Sequence, residues 1–331
     1  MEPPVLPHGA PIVWVLTDPV VGHASQSLGV AEALGWPFET RTLAYGALAR
    51  LPGFTGPRHL CGLDGASRAK LASPWPDIVI ATGGRLGGAA RWIKRRAAQG
   101  GHKVFLAQMM DPRRGREEFD LIAAPQHDHM APAANVIATL GAPTRVTAAR
   151  LAEAAEAWRD RLEDLPRPRI ALLVGGTAGG RRFDAAMASE LGRQASHLAA
   201  ARGGSLMVTT SRRTGDAEAR LLINSIAVPS YVHRWAPSGS NPYYAFLGLA
   251  DAVIVTGESV SMASEAAEAG KPLFIYAPSA LVKPAFAGFH KALYDAKLAR
   301  PLAEGASLDG AAPSALGTAA KIAEAIRARL R

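Results

Sequence analysis

The chain holds one cysteine, Cys61, among 331 residues. It therefore has no internal disulfide and no multi-cysteine zinc site, which suits a reducing, cytoplasmic setting. No apolar run approaches the roughly 20 residues that a membrane-spanning helix requires. The opening MEPPVLPHGAP lacks the basic start and apolar stretch of a secretory leader. Low-complexity tracts are missing too, and with 48% apolar residues the chain reads as folded and globular. Acidic residues are in short supply: 28 Asp and Glu face 37 Lys and Arg, a net charge of +9. Such a field favours polyanions, phosphorylated substrates or an anionic membrane face. Nucleic acid is not the expected partner. Lys94-Arg95-Arg96 and Arg113-Arg114-Gly115-Arg116 carry no interleaved aromatics, and neither zinc-finger spacing nor a recognition helix is present.

What is present is a regular alternation of apolar runs and helical stretches, the pattern of parallel α/β sheets. In the first half, strands are expected at 12–16, 38–43, 78–81, 104–108, 121–124 and 136–139, with helices at 25–34 and 86–98. An Ala/Glu/Arg-rich helix at 147–162 precedes Pro166-Arg167-Pro168, which interrupts helix and marks a hinge. The pattern then restarts with strands at 170–174, 206–210 and near 231–234, and helices at 183–201 and 216–225. The expected division is one α/β domain over 1–150, a linker over 151–168, a second α/β domain over 169–314, and a C-terminal helix over 315–331 that packs back on the first. Two open parallel sheets of Rossmann type, facing across a cleft at their strand ends, are the expected fold class.

The segment Val253–Ile275 is an apolar strand, the turn Thr256-Gly257-Glu258, a helix opening at Ser259, and a stop at Gly270. A helix N-terminus facing a strand's carboxyl end suits an anion such as phosphate. Glu265, two turns in, is placed to meet a ribose or sugar hydroxyl beside it. Two other strand ends point to the same ligand. Gly175-Gly176-Thr177-Ala178-Gly179-Gly180-Arg181-Arg182 joins close backbone approach to two cations. It matches neither a Walker A loop nor the dinucleotide fingerprint. Thr209-Thr210-Ser211-Arg212-Arg213-Thr214 adds two more arginines. In the first half, Asp18 and His23 flank a turn at a strand end, and either suits a general base. Thr82-Gly83-Gly84-Arg85, Asp111-Pro112-Arg113 and Pro125-Gln126-His127-Asp128-His129 also follow strands. His127, His129 and the nearby aspartates have ligand chemistry, yet no third histidine stands at a telling distance, so no metal is expected. Asn241-Pro242-Tyr243-Tyr244 reads as a helix start with proline in its first turn.

Together these segments resemble a bacterial family similar to the plant mitochondrial-fission "elongated mitochondria" protein, whose members are also described as glycosyltransferases. The matching stretches are Trp14-Val-Leu-Thr-Asp18 with Gly22-His23 and Gln26, Ala81-Thr-Gly-Gly-Arg85, Asp111-Pro-Arg113, Pro125 with His127-Asp128, Gly175-Gly176, Thr209 to Thr214, Asn241-Pro-Tyr243, and Val255 to Met262 through Glu265 and Gly270-Lys-Pro272. The resemblance spans essentially the whole chain and implies the two-domain GT-B architecture, with a nucleotide-sugar held by the second domain. By that analogy Gly176 and Thr177 approach the diphosphate, Ser211 and Arg212 the phosphates or base, and Glu265 the ribose, with Gly175 and Arg213 beside them. Glu258, Ser259, Ser261 and Met262 line the same site. Gly22, Gln26, Gly84, Arg85, Asp111, Arg113, His127 and Asp128 fall on the acceptor side. Two departures stand out: Pro19-Val-Val21 is plainer than the family's stretch before Gly-His, and Glu258 replaces a common Asp.

The resemblance implies metal-independent transfer of a sugar from a nucleotide-diphosphate sugar, the donor substrate, with no permanently bound cofactor. The expected acceptor is an envelope or lipid-linked saccharide met at the cytoplasmic face of the inner membrane. A non-catalytic, membrane-associated scaffold of the same fold is the alternative. A short-chain sugar epimerase is disfavoured, because the first strand is not followed by its three-glycine turn and no tyrosine has a lysine four residues on.

Overall fold

The computed structural model describes residues 9–46, 60 and 62–331, so Cys61 and the opening residues fall outside the described set. The chain forms two compact units: residues up to 145 together with 317–331, and residues 146–316. Each is built on a six-stranded sheet whose neighbouring strands all run parallel. The two open parallel α/β sheets expected from the sequence are therefore present.

The first sheet has the order β2-β1-β3-β4-β5-β6, with β1 Val13–Thr17, β2 Phe38–Thr42, β3 Ile78–Thr82, β4 Phe105–Met109, β5 Leu121–Pro125 and β6 Val136–Thr139. Strands β1 and β3 are buried at every position, as expected for a parallel sheet covered on both faces. The edge strand β2, Phe-Glu-Thr-Arg-Thr, has no buried position. Helices α1 Val21–Leu34, α2 Gly65–Ala69 and α3 Gly83–Ala98 belong to this unit.

In the second sheet the order is β12-β11-β10-β7-β8-β9, with β7 Arg169–Val174, β8 Ser205–Thr210, β9 Ser230–His233, β10 Ala252–Thr256, β11 Leu273–Tyr276 and β12 Arg300–Pro301. Its helices are α4 Ala148–Leu162, α5 Ala185–Ala200, α6 Asp216–Asn224, α7 Tyr243–Leu249, α8 Val260–Glu268 and α9 Pro284–Asp295. Helix α4 packs on α7, where Gly248 lets the backbone approach Leu151 closely. The last helix, α10 Thr318–Leu330, returns to the first unit. It lays Ile322, Ala323 and Ile326 against Val30 and Leu34 of α1, and Arg327 donates to the terminal carbonyls of Ala33 and Leu34.

Three helix starts differ from the sequence reading. Helix α1 begins four residues before Ser25 and takes Gly22 and His23 into its first turn. The carboxylate of Asp18 accepts the Val20 N–H at 3.0 Å, closing the turn without a loop. Helix α3 begins at Gly83, three residues before Leu86, because Gly83 adopts φ +78° and swings the chain straight from strand to helix. Helix α5 begins two residues after Phe183, where Asp184 caps it by accepting the Met187 N–H at 2.9 Å.

Both sheets contain one point where the strand order reverses, between β1 and β3 in the first and between β7 and β10 in the second. Crevices outside the carboxyl ends of strands open at such reversals, and ligands bind there in open α/β sheets.

Candidate functional site

At the reversal in the first sheet, Asp18 follows β1 and Gly83 follows β3. Asp18 is buried. One carboxylate oxygen accepts the Val20 N–H and the other lies 3.2 Å from His23 Nδ1. This anchors the imidazole with its Nδ1 edge toward the carboxylate. The ring lies on Gly83, where a Cβ would stand 3.2 Å from His23 Cε1. The sequence left Asp18 and His23 as equal candidates for the base. Their geometry separates them: the His23 side chain is 29% exposed and that of Asp18 6%, so the histidine faces outward and the aspartate orients it.

One turn along α1, Gln26 places its amide nitrogen 3.9 Å from Met110 Sδ, and its Oε1 is buried without a hydrogen-bond partner. Met110, Arg113 and His129 all adopt left-handed backbone, with φ of +67°, +66° and +48°. Three such non-glycine residues at the ends of β4 and β5 concentrate backbone strain at one sheet edge. Gly84 lies against the Pro112 carbonyl. Asp111 accepts from the Arg113 N–H and from Arg116, whose guanidinium holds its carboxyl below the usual range. His127 and Asp128 form a 3.8 Å pair in a short turn after β5. Burial lowers the histidine and raises the aspartate. Arg85 is exposed and lies over the Tyr45 ring, whose hydroxyl donates to the Arg85 carbonyl. The predicted acceptor-side residues thus share the carboxyl edge of β1, β3, β4 and β5. Among the described residues, no three His, Cys, Asp or Glu side chains group as metal ligands.

At the reversal in the second sheet three turns meet. The Gly175 N–H donates to Thr256 Oγ1 at 2.8 Å, and the Gly176 N–H to Glu258 Oε1 at 2.8 Å. Ser211 and Thr214 hydroxyls both donate to the Gly175 carbonyl. Gly175 and Gly176 are indispensable to this contact. A Cβ on Gly175 would lie 1.7 Å from Glu258 Oε1, and one on Gly176 2.2 Å from the Arg213 carbonyl.

Two residues expected at the diphosphate have their amides engaged within the protein. The Gly176 amide is taken by Glu258, and the Thr177 amide donates to the Arg213 carbonyl at 3.0 Å. These N–H groups hold the three turns together and are not open to an anion. Gly179 and Gly180 lie at the tip of the same loop. With φ of +57° and +80°, they form a tight reverse turn closed by reciprocal bonds between Ala178 and Arg181. Glu258 departs from expectation too. It is 4% exposed and sits beneath the turns, with Arg213 3.3 Å from Oε1. Burial pushes its carboxyl up, against the Gly176 bond and the Arg213 charge.

What stays open to an anion is the start of α8 with the cations around it. Ser259 caps the helix by accepting the Met262 N–H at 3.4 Å, which leaves the Val260 and Ser261 amides without an intrahelical partner. Arg213 also reaches Met262 Sδ at 4.0 Å, and Arg212 is exposed at the tip of its turn. Glu265 accepts the Tyr243 hydroxyl at 2.8 Å, and burial together with that carboxylate pushes the phenol well up. The sequence reading missed Lys283. Its Nζ would lie 2.4 Å from a Cβ on Gly179, so the ammonium rests over the glycine turn. Only Pro284 behind it, a first-turn proline, hinted at a helix start there.

A family model described as "Mitochondrial fission ELM1" matches residues 21–330. The Mitochondrial fission protein ELM1 of Arabidopsis thaliana is 29% identical over 236 residues, which is 65% of this chain and 54% of the plant protein. The match therefore spans about half the length of that relative. Among solved structures, the Spinosyn Forosaminyltransferase SpnP has a TM-score of 0.50 at 13% identity, over 97% of this chain and 94% of that one. UDP-GlcNAc 2-epimerase from Methanocaldococcus jannaschii has a TM-score of 0.50 at 11% identity, over 96% and 99%. At such identities the likeness is one of fold, and a sugar transferase and a sugar epimerase share it equally.

Proposed function

The chain belongs to the mitochondrial fission ELM1 family, and from that premise we propose that it is a glycosyltransferase that draws on a nucleotide-diphosphate sugar. The observation that carries this reading is the meeting of the Gly175, Ser211 and Glu258 turns at the strand reversal of the second sheet. Arg213 stands at that point beside Glu258 and Met262, and Arg212 and Lys283 add positive charge on or against the adjoining turns. A developing diphosphate is the leaving group such a site stabilises without reorganising. Glu265 and the Tyr243 hydroxyl bound to it take the ribose.

In the first unit, His23 Nε2 accepts the proton of the acceptor hydroxyl while Asp18 holds the ring. The acceptor oxygen bonds to the anomeric carbon, the bond from that carbon to phosphate oxygen breaks, and the nucleoside diphosphate leaves with the electron pair. The protein's own cations take the charge, with no metal step. The acceptor is an envelope or lipid-linked saccharide at the cytoplasmic membrane face. The net charge of +9 supports contact with anionic lipid, and among the described residues no helix is long and apolar enough to cross a membrane.

The chain lacks the marks of a short-chain epimerase, but the fold shared with a UDP-GlcNAc 2-epimerase makes a second reading specific. One experiment separates the readings. Calorimetry with UDP-, GDP-, CMP- and ADP-sugars should give saturable binding, weakened at least tenfold by Arg212→Ala. With the bound donor, release of nucleoside diphosphate should require a membrane saccharide-lipid extract and be lost in His23→Ala with donor binding intact. Inversion at C2 of the donor sugar without acceptor would identify an epimerase. A folded protein that binds no nucleotide-sugar would leave the membrane-associated scaffold.

A further inference from the structure

Four large apolar side chains are exposed among the described residues, and Trp235 is the aromatic one, at 43%. A single exposed apolar residue is ordinary, but the backbone of this one is held in place. Strand β9 pairs with β8, His233 opposite Thr209, so Trp235 emerges at the same carboxyl edge as the Ser211 turn. Its own N–H donates to Thr210 Oγ1 at 2.9 Å, and its neighbour Arg234 is pinned to Asp216 at 3.0 Å. Thr210 leads directly into Ser211, whose hydroxyl donates to the Gly175 carbonyl. The backbone that carries this indole is therefore anchored one residue away from the turns that meet at the strand reversal. The core beneath is already filled by other rings, with Trp158, Tyr231 and Phe246 packed edge to face. Trp235 is followed by a run exposed from Ala236 to Asn241, so the partly exposed indole borders solvent-accessible chain.

We propose that Trp235 is the platform on which the base of a nucleoside diphosphate stacks, with the exposed 236–241 backbone bordering the base edge. An indole offers a broad π-face that any base can cover, and stacking of this kind favours the flat heterocycle over a free phosphate. Arg212, exposed two residues after Thr210, then lies toward the phosphate side of the same ligand. The assignment rests on the nucleotide-binding reading of the second unit and adds to it the place where the base sits. Stacking accepts every base, so discrimination among them falls to the 236–241 segment.

The test compares UDP, CDP, ADP, GDP and inorganic pyrophosphate by calorimetry on the full chain, with indole emission recorded in parallel. The native protein should bind the nucleoside diphosphates more tightly than pyrophosphate and show quenched emission only with the former. Trp235→Ala should weaken nucleoside diphosphates roughly tenfold or more and leave pyrophosphate unchanged, while Trp235→Phe retains most of the affinity and loses the quenching. If Trp235→Ala keeps the full advantage of nucleotides over pyrophosphate, the base does not sit there, although the diphosphate reading stands. If native protein binds neither pyrophosphate nor any nucleotide, that underlying reading fails and the stacking platform fails with it.

Discussion

Glycine is used in two unlike ways within six residues. Gly175 and Gly176 are places of close approach, where any side chain meets Glu258 or the Arg213 carbonyl. Gly180 needs only its left-handed backbone, and nothing lies within 4 Å of a Cβ there. Gly176→Ala should therefore cost about 2 kcal/mol or more through overpacking and strain, and pyrophosphate binding should disappear with it. Gly180→Ala should cost about 1 to 2 kcal/mol, the penalty of the left-handed region alone, and bind pyrophosphate normally. Urea titrations paired with binding isotherms read both quantities, and equal behaviour of the two variants would contradict the distinction. Lys283 belongs to the same residue-level account. Its position over Gly179 depends on packing between segments a hundred residues apart, which no local pattern in the sequence encodes.

At the level of elements, α7 ends against a half-buried cation. Lys271 donates to the Gly248 and Ala250 carbonyls at the C-terminus of that helix, and burial lowers its ammonium to about 8. The unfolded chain holds that proton up to about 10.4. Between these values the unfolded state binds more protons, so stability should rise as pH climbs from 8 toward 10. Lys271→Met should lack the rise. Urea midpoints at pH 7.5, 8.5 and 9.5 would show this, and parallel curves for the two proteins would refute it. The series stops below 10 because Tyr276 and Tyr294, pushed by burial to about 12, act in the opposite direction above that pH.

The elements were also what the sequence displayed best. The apolar runs 78–81 and 170–174 are buried at every residue, so an unbroken apolar pattern translates directly into a central strand. Helix beginnings were less legible at α1 and α3. There glycine and a carboxylate-closed turn admit the chain to a helix without the polar loop that the residue pattern suggests. The convergence of three strand-end turns could be read in advance because strand ends of one parallel sheet share an edge. Which of their amides remain free could not be read. That depends on Glu258 folding inward beneath Gly176, where the pattern offered only an acid near a helix start.

On the scale of the molecule, each unit has its own core, and the first is completed by residues from beyond the second. Ile322 and Ile326 of α10 are fully buried against α1 and the first sheet. Removing 317–331 withdraws two isoleucines at roughly 2 kcal/mol each, so the first unit should lose about 4 kcal/mol or more. Hydrogen exchange would report this as lost protection in β1 and β3, with β7 as internal reference. Undiminished protection in β1 and β3 would show that α10 is dispensable.

That return of the chain also sets an order of events during synthesis. Residues 146–316 are contiguous and can assemble as soon as they emerge, whereas the earlier-made sheet must wait for its closing helix. Until then Val30 and Leu34 lack the cover that Ile322 and Ile326 give them. The half translated first is thus the half that matures later.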